Sequence, residues 1–130
     1  MEDLKVLKTA EKNLPLETLA ELIVGFIQDK KGKDIVSLNL SAIPEAVADY
    51  FIICHADSTT QVRAIVDNVE YEAAQIIGKG RINLEGRSNG EWALADLGDI
   101  VVHVFQTEKR AHYMLEELWS DAKIKVYENV

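Results

Sequence analysis

Apolar positions along the chain alternate between two periods, and the changes of period lay out its elements. From Leu16, just behind Pro15, the run LETLAELIVGFIQD carries Leu19, Leu22, Ile23, Phe26 and Ile27 at helical spacing. Lys30, Lys31 and Gly32 then supply a basic last turn and a cap. DIVSLNL (34–40) reads as a strand, a turn containing Pro44 follows, and DYFIICH (49–55) is a strand apolar on successive residues, the pattern of burial on both faces. Ser58 with Gln61 three residues on predicts a capping box. The helix it opens would bury Val62, Ile65, Val66, Val69, Ala73 and Ile76 and end at Gly78 and Gly80.

Period 2 then returns. RINLE (81–85) is a short strand, EGRSNGE (85–91) a Gly/Asn-rich hairpin turn, and EWALAD (91–96) and DIVVHVF (99–105) are strands paired around a Leu-Gly turn. Thr107 is expected to cap a last helix with Ala111, Met114, Leu115 and Leu118 on its inner stripe and Trp119 beside them as a core or dimer contact. The tail, KIKVYENV (123–130), is either an edge strand or a free end. Residues 1–13 are mixed in pattern and expected to be a loosely ordered segment. The order α-β-β-α-β-β-β-α predicts one α/β domain over residues 1–130, a mixed β-sheet with flanking helices.

Alternation also assigns faces. Ala93 and Ala95 share one face of their strand, where small side chains let a helix pack closely. Trp92 and Leu94 project from the other, beside Asp96. His103 lies on the same face of the next strand as Val101 and Phe105.

Composition narrows the function classes. The apolar fraction of 48% and the net charge of −8 describe a folded, acidic chain. Nucleic-acid affinity rests largely on Lys and Arg neutralising phosphates, so direct DNA binding is not expected and direct rRNA contact is expected to be slight. The acidity favours a basic protein surface as partner. No apolar run approaches the roughly 20 residues of a membrane span, and the opening MEDLKVLK has no signal-peptide character. A single cysteine, Cys54, permits no intrachain disulfide, in keeping with a reducing cytoplasm.

The densest cluster of chemistry-bearing side chains lies in residues 85–105, with Trp92, Asp96, Asp99 and His103. Two-metal nucleotidyl transfer needs two acids on one strand face and a third from a neighbour, but the strand after Asp99 carries Val101 where the second acid would stand. HADSTTQ (55–61) lacks the glycines of a phosphate cradle. His55, His103 and His112 are isolated in sequence, which gives no metal spacing and no expected metal or other cofactor. The capping box accounts for Ser58 without nucleophilic chemistry. These residues predict turn acids and a binding face rather than catalysis. An aromatic anchor at Trp92 ringed by carboxylates suits a basic partner.

The chain resembles the Iojap family, the ribosome silencing factors of bacteria and organelles. The resemblance runs from about Leu16 to Ala122 and is carried by ADYFII (48–53), SxxQVRAI (58–65), EGxxxGEWALxDLGDIVVHVF (85–105) and LEELWSDA (115–122). It implies a nucleotidyltransferase-like core without the catalytic acids and a translation repressor that is not an enzyme. Such proteins bind the large ribosomal subunit through a basic subunit-face protein, the fourteenth of the large-subunit set. They block joining of the small subunit under nutrient limitation and form homodimers when free. The loop CHADSTT (54–60) departs from the family, with no glycine and with Thr60 where a basic residue is frequent.

On this reading the partner-binding residues are Trp92, Leu94, Asp96 and Asp99, with Glu85 and Glu108 as flanking acids and His103 and Tyr113 completing the set. The alternatives are a nucleotide-binding or nucleotidyltransferase-like enzyme, and a scaffold whose Trp92 face is only a dimer interface.

Overall fold

The computed structural model describes residues 14–118 and 121–130. The expectations for residues 1–13 and for Trp119 lie outside the described residues. Helix α1 (Leu16–Asp29) leads into strands β1 (Lys33–Asn39) and β2 (Tyr50–Ala56), then helix α2 (Thr59–Ile77), a 3-10 turn (Lys79–Arg81) and strands β3 (Asn83–Glu85), β4 (Trp92–Asp96) and β5 (Ile100–Gln106). Two short helices, α3 (Thr107–Tyr113) and α4 (Leu115–Leu118), precede strand β6 (Lys123–Val126). The six strands form one sheet in the order β3-β4-β5-β2-β1-β6. Among the described residues only β2 and β5 run parallel, at its centre, and the other neighbouring pairs are antiparallel. This is the mixed sheet with flanking helices that the sequence predicts, and the tail supplies the edge strand.

Both long helices cover one face. Ala20, Ile23, Val24 and Ile27 of α1 and Val62, Ile65, Val66, Val69 and Ala73 of α2 pack with Ile35, Ile52, Cys54, Ala93, Ala95, Val102 and Val104 of the sheet. The expected α2 stripe is the observed one, and Ala93 and Ala95, fully buried, let that helix approach. On α1 the stripe is rotated from expectation, with Ala20 and Val24 buried and Leu22 only partly so. Burial pushes the Cys54 thiol up to about 12, which makes it an inert core side chain.

Three local expectations are corrected. Ser58 caps α2 by accepting from the Gln61 backbone N–H at 3.1 Å, but the Gln61 side chain donates to the carbonyls of Lys30 and Lys31 at the end of α1. The capping box is therefore half formed, and Gln61 closes a neighbouring helix instead. Thr107 is the first residue of α3 rather than its cap, and its hydroxyl donates to Asp57 at 2.8 Å. The last helix is not continuous. Met114 adopts a left-handed conformation (φ 50°) that separates α3 from α4, leaving Ala111 and Met114 exposed and Leu115 buried.

The second face has a different cover. The β1–β2 connection lays Leu40, Ile43, Ala46 and Ala48 over it, and Leu115 packs there from α4. Beneath them are Leu38, Phe51, Ile53, Val101 and Phe105. At the β6 edge Ile124 and Val126 stay exposed, while Lys125 reaches Glu21 on the helix side. Lysines on an outer strand discourage edge-to-edge pairing.

Candidate docking face

The β3–β4 hairpin presents the central residue. Gly86 and Gly90 bound its turn, both at positive φ. A Cβ on Gly86 would stand 2.1 Å from the Trp92 carbonyl oxygen, so glycine is required for the turn to close. Arg87 in the same turn donates two 2.6 Å hydrogen bonds to Asp67 of α2, tying the hairpin to the helix layer. Strand alternation then directs Trp92, Leu94 and Asp96 to the face opposite α2.

Trp92 pairs with Phe105 across the β4–β5 ladder, and Leu94 with His103. The Trp92 ring lies 4.9 Å from Phe105, 5.9 Å from His103 and 4.5 Å from Tyr113 between centroids. Tyr113 arrives from the end of α3 and is 46% exposed, whereas Trp92 and Leu94 are half-buried. The indole N–H donates to His103 Nδ1 at 3.1 Å, and Phe51 meets the other side of the imidazole edge-on at 4.6 Å. Burial pushes the His103 pKa down to about 4, which keeps the ring neutral at physiological pH and Nδ1 free to accept.

The structure gathers most, but not all, of the expected residues. Trp92, Leu94 and Tyr113 form an apolar surface with His103 beneath it. Asp96 lies on the same strand face, half-buried, and its carboxylate accepts from the Gly98 N–H at 2.8 Å as a turn acid. Glu85 pairs with Leu94 on the adjoining strand and is exposed. Asp99 departs from the group. It lines a small cavity with Leu16, Leu19, Ile77 and Arg81, on the helix-bearing side. Glu108 is exposed in the first turn of α3, where a negative charge suits the helix dipole. His103, 5% exposed, supports the surface from within rather than forming part of it.

A second cluster escaped the sequence. Arg110 of α3 donates to the Glu116 carboxylate, to the Asp34 carbonyl at 2.6 Å, and lies 3.0 Å from His55 Nδ1. Desolvation, followed by the Arg110 charge, lowers the His55 pKa. Arg110 and Glu116 are six residues apart across the break at Met114, a spacing no helical pattern marks. The cluster fixes α3 and α4 over the ends of β1 and β2, and α3 in turn carries Tyr113.

The carboxyl ends of a parallel strand pair are where α/β sheets usually hold ligands. Here Asp57 occupies that end of β2 and accepts from Lys33 at 2.6 Å and from Thr107, two hydrogen bonds that hold its carboxyl below the usual range. An anion approaching the start of α2 would meet this carboxylate. Among the described residues no group of three or more His, Cys, Asp or Glu side chains is placed to hold a metal ion, and no helix is long and apolar enough to cross a membrane.

Comparison with known proteins supplies the family. Residues 13–130 match the family described as ribosomal silencing factor during starvation. A protein of Halalkalibacterium halodurans named ribosomal silencing factor RsfS is 43% identical over 114 residues, covering 88% of this chain and 96% of its own length. The protein of the same name in Bacillus subtilis is 39% identical, covering 83% of this chain and 90% of its own. A crystal structure of a Chromobacterium violaceum protein superposes with a TM-score of 0.75 at 33% identity, over 82% of this chain and 88% of that one. The chain belongs to the ribosomal silencing factor family.

Proposed function

We propose that this protein silences ribosomes by docking the Trp92 face on a basic protein of the free large subunit, the fourteenth of its set, and so blocking the small subunit. The observation that carries this reading is the surface of Trp92, Leu94 and Tyr113 bordered by Glu85 and Asp96, in a chain of net charge −8. A half-buried Trp braced by Phe105 and Tyr113 loses little side-chain freedom on binding, and the acids around it pair with Lys and Arg of the partner. Occupancy is the whole mechanism. A protein bound to free large subunits removes them from the joining equilibrium by mass action, without a chemical step.

The same reading takes the protein to act in the cytoplasm, to contact rRNA little, and to form a homodimer when not on the ribosome. The test is sedimentation with purified large subunits. Trp92→Ala combined with Asp96→Lys, shown folded by its melting transition, should leave the large-subunit peak, weakening binding at least about 30-fold, as expected for a hot spot worth about 2 kcal/mol. Full retention of the folded double variant would defeat the proposed face.

A further inference from the structure

Among the described residues, the buried side-chain atom without a hydrogen-bond partner is His103 Nε2. Nδ1 accepts the Trp92 indole N–H, so in the neutral ring the proton resides on Nε2. A buried N–H left unpaired is destabilising, and an apolar ring in this site would avoid that cost. Phe51, Phe105 and Trp92 enclose the imidazole, and at 5% exposure it offers no surface to a partner. What histidine supplies and phenylalanine would not is the acceptor for the indole.

We propose that His103 is a positioning residue for docking, one that fixes the Trp92 indole by occupying its N–H and so leaves Trp92 to the partner as an apolar surface. This inference rests on the docking reading above and adds chemistry to it. The partner's site for Trp92 is an apolar recess bordered by Lys or Arg, and it needs no hydrogen-bond acceptor for the indole. Asp96 and Glu85 stand on the same sheet face to meet those cations, while Tyr113 closes the other side of the ring.

Two variants separate positioning from packing. His103→Phe keeps a ring of similar size and removes both the acceptor and the orphaned N–H. His103→Asn places an amide oxygen near the position of Nδ1 and restores the acceptor. The readouts are affinity for purified large subunits and the proton NMR signal of the Trp92 indole N–H, assigned by its loss in Trp92→Phe. In His103→Phe the indole proton should exchange faster with solvent, and affinity should fall about tenfold while the melting temperature is kept or raised. In His103→Asn both should move back toward wild type.

Unchanged affinity or unchanged indole exchange in folded His103→Phe overturns the positioning role. If that variant does not fold, His103→Asn decides alone: a slowly exchanging indole proton with near-native affinity supports the role, and native affinity with a freely exchanging one overturns it. Trp92→Ala serves as the control. If it binds like wild type the docking reading itself fails, whereas loss of binding in Trp92→Ala without loss in His103→Phe removes only the inference about His103.

Discussion

The two faces of the sheet are built from different residues for different ends. The helix-bearing face sets Ile52, Val102, Val104, Ala93 and Ala95 against α1 and α2, and its sheet residues are fully buried. The opposite face gathers Phe51, Phe105, Trp92, His103 and Tyr113, and its cover is a loop and two short helices that leave Trp92 and Leu94 half open. Small and branched side chains fill a core between rigid layers. Aromatic rings with a polar edge suit the docking surface proposed above, which would be ordered before a partner arrives. One strand, β4, serves both faces through alternation alone.

The largest separation of the two faces should come from Ile52→Ala. A fully buried side chain under both helices is lost, and stability should fall by about 3–4 kcal/mol. Affinity for large subunits, measured below the lowered melting transition, should stay within about twofold. A binding loss as large as that of Trp92→Ala would mean that the faces are not independent.

Acid should strain the aromatic face through His103. Its folded pKa of about 4 lies below the unfolded value of about 6.5. The unfolded chain therefore takes up the proton first as pH falls. The stability held by the neutral ring is fully present above about pH 6.5, declines as pH drops, and is lost by about pH 4, a change of about 3 kcal/mol. His55, also shifted down, adds in the same direction. Denaturant midpoints followed from pH 7.5 to 4 should show this decline for wild type and a flatter profile for His103→Phe. Equal slopes would mean that His103 does not set the acid response.

Much of this division was legible in the sequence because it depends on period. Alternation in EWALAD assigned Ala93 and Ala95 to the helices and Trp92 and Leu94 to the other side, and alternation in DIVVHVF set His103 on one face with Val101 and Phe105, as observed; that this face is the Trp92 face came from the structure. Features that depend on distant partners were not legible. Nothing local says that β2 runs parallel beside β5, yet that pairing brings Phe51 onto His103. The apolar spacing of Ala111, Met114 and Leu115 fits a continuous helix, but Arg110 bonds to Glu116 and to the β1 backbone across a break, and this brings Tyr113 to Trp92. Asp99 follows the Leu-Gly turn, and the structure sends it to the helix side.

The smallest expected effect concerns the tie between the hairpin and the helix layer. The Arg87–Asp67 pair is well aligned but largely exposed, so Asp67→Asn should cost at most about 1 kcal/mol of stability. It should leave large-subunit binding unchanged, since the pair lies on the α2 side. A clear loss of affinity would mean that the hairpin's anchorage, and not only its outward face, sets docking.

Hydroxyl-radical footprinting of the protein free and with saturating large subunits tests the docking face most directly, because each face carries its own exposed tyrosine. Tyr113 stands beside Trp92, and Tyr71, 64% exposed, stands on α2. Docking through the aromatic face predicts that Trp92 and Tyr113 become protected while Tyr71 is oxidised as in the free protein. Protection of Tyr71 with Tyr113 and Trp92 unchanged would contradict it.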